Sequence, residues 1–303
     1  MTSGAGAATM IGVFDSGFGG LTVLRALAQR FPNEAFLYLG DHAHVPYGAR
    51  AADDVLRLTQ ASVAHLFTAG CRLVLLGCNT ATAVAARHLQ QVWLPGTDWH
   101  ARGHNVLGII APTVEAATQT PWAMTTPQYP QKYNDDRIVV FGTERTVRSG
   151  VYAEEIGKRC PRVHVTEISV PDLVAAIESE AGDAACHTSV ARAVAQAPDA
   201  DRVILGCTHF PLVEQIFRDA LAPGTRILSQ PSIVADSLED YLARHPAYAA
   251  RSGPDACPSD GERGVRPGVV LTTTGSPETV NAVARVLWPE APTFSSVKEI
   301  AFA

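Results

Sequence analysis

Two cysteines in this chain stand in matching contexts. Leu73-Val74-Leu75-Leu76-Gly77-Cys78-Asn79-Thr80 and Arg202-Val203-Ile204-Leu205-Gly206-Cys207-Thr208-His209 are each an apolar run that turns at glycine, delivers a thiol and continues into small polar side chains. Such a run reads as a buried strand of an open α/β sheet, in which ligands sit beyond the carboxyl ends of the strands. Two thiols presented in this way, one from each half of the chain, could face one small substrate from opposite sides. That suits removal of a proton from one face and its return to the other. A lone buried cysteine is an ordinary core residue. Packing alone, however, does not demand the same polar turn after both strands.

Two more turns bear polar groups. Asp15-Ser16-Gly17-Phe18-Gly19-Gly20 follows the first apolar strand and opens a helix, so backbone N–H groups and the positive end of the helix point above the sheet. It has neither the Gly-Lys-Ser/Thr of a phosphate loop nor the glycine spacing of a dinucleotide fingerprint. A small carboxylate, held by Ser16 and backbone amides, is the favoured ligand. The turn from Gly40 to Gly48 ends the second strand, and its Pro46-Tyr47-Gly48 is a rigid corner able to present Tyr47 and a backbone N–H. His42 and His44 beside Asp41 have no third ligand at a recognisable spacing, so no metal is expected. Lys132, Lys158 and Lys298 are the only lysines, and none follows a strand beside these turns. A pyridoxal Schiff base therefore has no anchor.

The elements that must position these turns alternate. Apolar, β-branched runs at 11–14, 35–39, 73–76, 106–110, 138–141, 163–168, 203–205, 226–228 and 269–273 read as strands. Helical periodicity fills 21–30, 53–68, 81–91, 150–159, 189–195, 212–220, 233–243 and 277–287. This order predicts an α/β fold of mainly parallel sheets covered by helices. Thr118–Asp136 and Pro246–Pro267, rich in turn formers, read as surface insertions, the first near a domain junction.

With 303 residues and 47% hydrophobic content, the chain can bury a large core in roughly two domains. A net charge of −6 argues against nucleic acid as a partner. No apolar stretch reaches the roughly 18–20 residues that span a bilayer, so no membrane association is expected. Met1–Thr9 has no basic segment and reads as a flexible start rather than a signal peptide. The six cysteines (71, 78, 160, 186, 207, 257) form no C-x-x-C pair, which points to free thiols and a cytoplasmic location.

Together, Gly12–Gly20, Tyr38-Leu39-Gly40-Asp41, Pro46-Tyr47-Gly48, Gly77-Cys78-Asn79-Thr80-Ala81-Thr82-Ala83 and Leu205-Gly206-Cys207-Thr208-His209-Phe210-Pro211-Leu212 make a recognisable set. The chain resembles the glutamate racemases of the cofactor-independent aspartate/glutamate racemase superfamily, from about residue 11 to 242 and more weakly through 269–287. The resemblance implies two-base racemisation of glutamate at Cα without a cofactor, serving peptidoglycan synthesis. It assigns Cys78 to abstraction from the D-isomer and Cys207 to abstraction from the L-isomer. Asp15 and His209 would assist at the two thiols, with Glu178 as an auxiliary carboxylate. Substrate contacts carry over to Asp15, Ser16, Tyr47, Gly48, Asn79, Thr80, Thr208 and His209. Thr143, Thr146 and Ser149 match a Thr/Ser-rich turn that lines the pocket.

The segment Ser169–Glu178 departs from the family pattern. Val170 stands before Pro171 where cysteine is common, and a second proline is missing, so a solvated or structural Glu178 stays open. His209 could likewise serve only as a cap. The implied fold is two similar α/β domains related by a pseudo-two-fold, with the active site at their interface: residues 1–107 with 229–303, and residues 108–228. A homodimer is a possible assembly. Aspartate racemase, another racemase of Cα–H acids and a non-catalytic binding protein are the alternatives.

Overall fold

The computed structural model describes residues 10–179, 182–197, 199–249, 267–297 and 300. The flexible start expected at Met1–Thr9, Cys257, Lys298 and most of the Pro246–Pro267 insertion lie outside the described residues.

Among the described residues, ten strands form two sheets, parallel throughout. They are β1 (Met10–Asp15), β2 (Ala35–Gly40), β3 (Cys71–Leu76), β4 (Asn105–Gly108), β5 (Arg137–Gly142), β6 (His164–Ser169), β7 (Arg202–Gly206), β8 (Arg226–Leu228), β9 (Gly268–Thr273) and β10 (Ser295–Ser296). The first sheet has the order β10-β9-β2-β1-β3-β4 and the second β6-β5-β7-β8. Successive side chains leave a strand on opposite faces, and the cores follow that period of two. In β1, Ile11 and Val13 enter one apolar cluster and Phe14 the other. In β5, Val139 and Phe141 pack on one face, Ile138 and Val140 on the other. Both faces of both sheets are thus buried, which is why the strands read as continuous apolar runs.

Chain order within each sheet decides where a ligand can sit. In the first, the chain runs outward from β1 through β2 on one side and through β3 to β4 on the other. In the second it runs from β5 to β6 and, on the other side, through β7 to β8. The crevice where the order reverses, beyond the carboxyl ends of β1/β3 and β5/β7, is the natural binding position in such sheets.

The structure corrects several sequence expectations. The strand expected to reach residue 110 stops at Gly108, and Ile110 opens a helix, Ile110–Thr118, with Pro112 in its first turn where a missing N–H costs nothing. Helix Leu173–Glu178 was not expected, because its two turns are too short to show a period. The helix expected over 212–220 begins as a 3-10 turn, Phe210–Val213, and turns α-helical only at Glu214. The 118–136 segment, beyond Thr118, lies as an irregular loop against helix Val151–Arg159. Its Trp122 ring stacks on the Arg159 guanidinium at 4.4 Å. Among the described residues, no helix is long and apolar enough to cross a membrane.

Candidate active site

The first sheet supplies one thiol. Cys78 follows β3 and caps the helix Asn79–His88, its sulfur accepting the Ala81 N–H at 3.5 Å. Ser16, just past β1, hydrogen-bonds the same sulfur at 3.3 Å. A helix N-terminus and these two bonds favour thiolate. Burial outweighs them, and with the nearby Asp15 charge pushes the Cys78 thiol up to about 12. Asp15 itself is buried and turned back into its own loop, Oδ1 accepting the Gly17 N–H at 2.7 Å, while Oδ2 has no partner among the described residues. Burial raises its carboxyl to about 6, against the pull of His209 and the Gly17 and Gly20 amides.

The second sheet supplies the other thiol. Cys207 follows β7, and His209 Nδ1 lies 3.9 Å from its sulfur. The far side of that ring, Nε2, is 2.7 Å from Glu178 Oε1 at the end of helix Leu173–Glu178. Burial disfavours the imidazolium, but Cys207 and Glu178 together overcome it and carry His209 up to about 10. The line Cys207–His209–Glu178 therefore holds a proton-bearing ring between sulfur and carboxylate.

Glycines let the two halves close on each other. A Cβ at Gly19 would overlap Thr208 Oγ1 and the His209 ring, and one at Gly48 would come within 3.0 Å of Thr143 Cβ. The glycine turn after β1 thus does more than bend the chain: it makes room for the Thr208-His209 turn of the other sheet. Thr22 Oγ1, one turn along the helix, is within 2.9 Å of both the Gly19 and the Thr208 carbonyl oxygens.

Between the thiols lies a cavity of about 160 Å³, small against the 300–1,000 Å³ typical of drug-sized pockets. Of the residues expected to contact substrate, Ser16, Tyr47, Gly48, Asn79, Thr80, Thr143, Thr208 and His209 line it, as do Cys78, Cys207 and Glu178. The Tyr47 hydroxyl donates to the buried Asp41 at 2.6 Å, and Thr274 and His44 also hold that carboxylate. Asp41 and His44 thus act as a brace for the Tyr47 corner. His42, the other candidate metal ligand, packs between Phe18 and Phe294.

Three expected residues do not reach the wall. Asp15 stands behind Ser16, held by the loop amides. Thr146 is buried behind Thr80 and Thr143, 3.3 Å and 3.0 Å from their hydroxyls, where it steadies both. Ser149 faces a different, open cleft of about 660 Å³, because the helix Glu144–Ser149 carries it away from the cavity. Sequence reasoning missed Val45, Ala49, Glu144 and Val174 as lining residues. Val174 and Glu178 are four apart on one helix face, a signal available only once that helix is recognised.

A thiol at the switch point of each of two parallel sheets, both lining one small cavity, is the arrangement of an α/β enzyme with its candidate site between the sheets. The chain belongs to the Asp/Glu/Hydantoin racemase family, whose model matches residues 11–237. It is 45% identical over 277 residues to a glutamate racemase of Phenylobacterium zucineum, covering 88% of this chain and 97% of that protein. Among solved structures it is similar to a glutamate racemase of Bacillus anthracis, with a TM-score of 0.78 and 26% identity over 96% of this chain and 97% of that one. Glutamate racemase from Thermus thermophilus in complex with β-chloro-D-alanine gives a TM-score of 0.76 and 27% identity, covering 96% and 97% of the two chains.

Proposed function

We propose that this protein interconverts L- and D-glutamate by moving protons between Cα and two cysteines, without a cofactor. The observation that carries this reading is that Cys78 and Cys207 line one small cavity from two different sheets. Glutamate as substrate is supported by the glutamate racemases among its relatives. The division into residues 1–107 with 229–303 and residues 108–228 belongs to the same proposal, as do a cytoplasmic location and a role in peptidoglycan supply.

In the L-to-D direction, Cys207 acts as thiolate and takes the Cα proton, while Cys78, as thiol, returns a proton to the opposite face. Each sulfur ends in the state the other began with, so the reverse reaction exchanges their roles. The environments suit this starting state. Burial keeps Cys78 protonated, whereas the raised His209 ring stands 3.9 Å from the Cys207 sulfur. Glu178 holds that imidazolium, and Asp15 is the carboxylate whose charge acts on Cys78. As the Cα proton leaves, charge spreads into the α-carboxylate. Asn79, Thr80 and Thr208 are the neutral donors placed to receive it.

The test is chiral chromatography of the protein with L-glutamate, no cofactor added, beside Cys78→Ala and Cys207→Ala. D-glutamate is expected from the unmodified protein and from neither variant, with Cα acquiring deuterium in D₂O. Unchanged conversion by either variant refutes the two-thiol reading. Conversion of aspartate in preference to glutamate shifts the substrate assignment.

A further inference from the structure

Three fully buried polar side chains from three helices converge on Asn79: Thr113 of Ile110–Thr118, Tyr152 of Val151–Arg159 and Gln230 of Gln230–Arg244. Their donor and acceptor roles are forced one after another. The Thr113 hydroxyl lies 2.7 Å from the Ile109 carbonyl, which can only accept, so its single hydrogen is used there. The Thr113 oxygen must then accept from the Gln230 amide 3.0 Å away, which turns Gln230 Nε2 toward it. Gln230 Oε1 is thereby at the other end, 2.6 Å from Asn79, and requires the Asn79 nitrogen as its donor. Asn79 Oδ1 accepts from the Tyr152 hydroxyl at 2.8 Å, and the second Gln230 Nε2 hydrogen is shared between Asn79 Oδ1 and the Tyr152 oxygen, each 3.1 Å away. The second hydrogen of Asn79 Nδ2 has no acceptor among the described residues, and Asn79 lines the cavity.

We infer that Gln230, with Tyr152 and Thr113, forms a set of positioning residues that locks the Asn79 amide as a donor to the substrate, its oxygen turned away. This rests on the proposed racemisation, and it specifies how that site stabilises charge. A donor aimed at the α-carboxylate gains strength as the Cα proton leaves, whereas a flipped amide sets a carbonyl oxygen against that growing charge. The chain of forced roles starts at a backbone carbonyl, so nothing short of breaking the network frees the flip. None of the three positioning residues lines the cavity, and each acts only through Asn79.

The test compares Thr113→Val, Tyr152→Phe and the conservative Thr113→Ser with the unmodified protein, each checked by a thermal melt. Thr113→Val keeps the side-chain shape and removes the origin of the chain of roles. Tyr152→Phe removes the hydroxyl that donates to Asn79 Oδ1. Both are expected to lower kcat/KM for glutamate, by up to about tenfold, the worth of one hydrogen bond. Both are expected to raise the primary isotope effect with Cα-deuterated glutamate, because proton abstraction becomes slower relative to release. Thr113→Ser is expected to restore both. A second readout needs no substrate: in protein labelled with ¹⁵N-asparagine, hydrogen exchange of the Asn79 side-chain amide should quicken in Thr113→Val and Tyr152→Phe but not in Thr113→Ser. Unchanged exchange and an unchanged isotope effect overturn the inference, even where activity falls with stability. If the unmodified protein leaves glutamate unconverted, the racemase reading fails, and amide exchange alone decides the orientation.

Discussion

Replacing Glu178 with glutamine keeps the shape of the helix end and removes one charge, which isolates the pairing with His209. His209 is buried, and burial alone would pull its imidazolium below the ordinary value of 6.5. Cys207 and Glu178 instead hold it at about 10. The 2.7 Å bond to Glu178 is charge-assisted, a class worth about 1.5–3 kcal/mol. Because the Glu178 side chain is 31% exposed, solvent screening favours the lower end, about 1.5 kcal/mol. At 1.36 kcal/mol per unit, Glu178→Gln should lower the His209 titration by about one unit. The sign for stability follows from a pKa raised on folding. The contribution is fully present below pH 6.5 and is lost as pH rises through about 10. The variant should therefore be less stable by about 1.5 kcal/mol at pH 6, with the gap closing above pH 10. Denaturant melts at both pH values and an NMR titration of the His209 ring measure this directly. The alkaline limb of the L-to-D rate should move down in step with the ring. A gap independent of pH, or an imidazole that titrates where it did before, would falsify the coupling of Glu178 to His209.

Other expectations follow from the same geometry. Asp15 is raised from 3.8 to about 6, so stability is lost as pH rises through that window. Asp15→Asn should relieve up to about 3 kcal/mol at pH 7, seen as a higher melting temperature accompanied by slower racemisation. A melt no higher than that of the unmodified protein counts against a burial-strained carboxylate. Gly19→Ala should displace the Thr208-His209 turn, costing about 1–3 kcal/mol by overpacking and sharply reducing kcat. Normal turnover in that variant would show the close approach to be unimportant. Ile204 lies in the middle of β7 with no exposed surface, and Ile204→Ala should cost about 2–5 kcal/mol in denaturant unfolding.

The sequence alone carried the strand and helix order, because strands buried on both faces are apolar throughout and stand out between polar turns. The turns that bear chemistry were legible for the same reason: Ser16, Tyr47, Cys78, Thr208 and their neighbours interrupt apolar runs at the strand ends where parallel sheets bind ligands. Short elements were not legible. Helix Leu173–Glu178 has too few residues to show a period, so neither the lining role of Val174 nor the placement of Glu178 on His209 could be read. Nor could the strand-to-helix change at Gly108–Ile110, since both elements there are apolar. Distances between turns from different sheets belong to the tertiary structure alone. It decided that Gly19 yields space to His209, that Asp15 and Thr146 stand behind the wall, and that Ser149 faces elsewhere. It also joined Thr113, Tyr152 and Gln230, up to 117 positions apart, around Asn79. A chain records which groups are polar. Only packing determines which of them, once cut off from water, must satisfy one another.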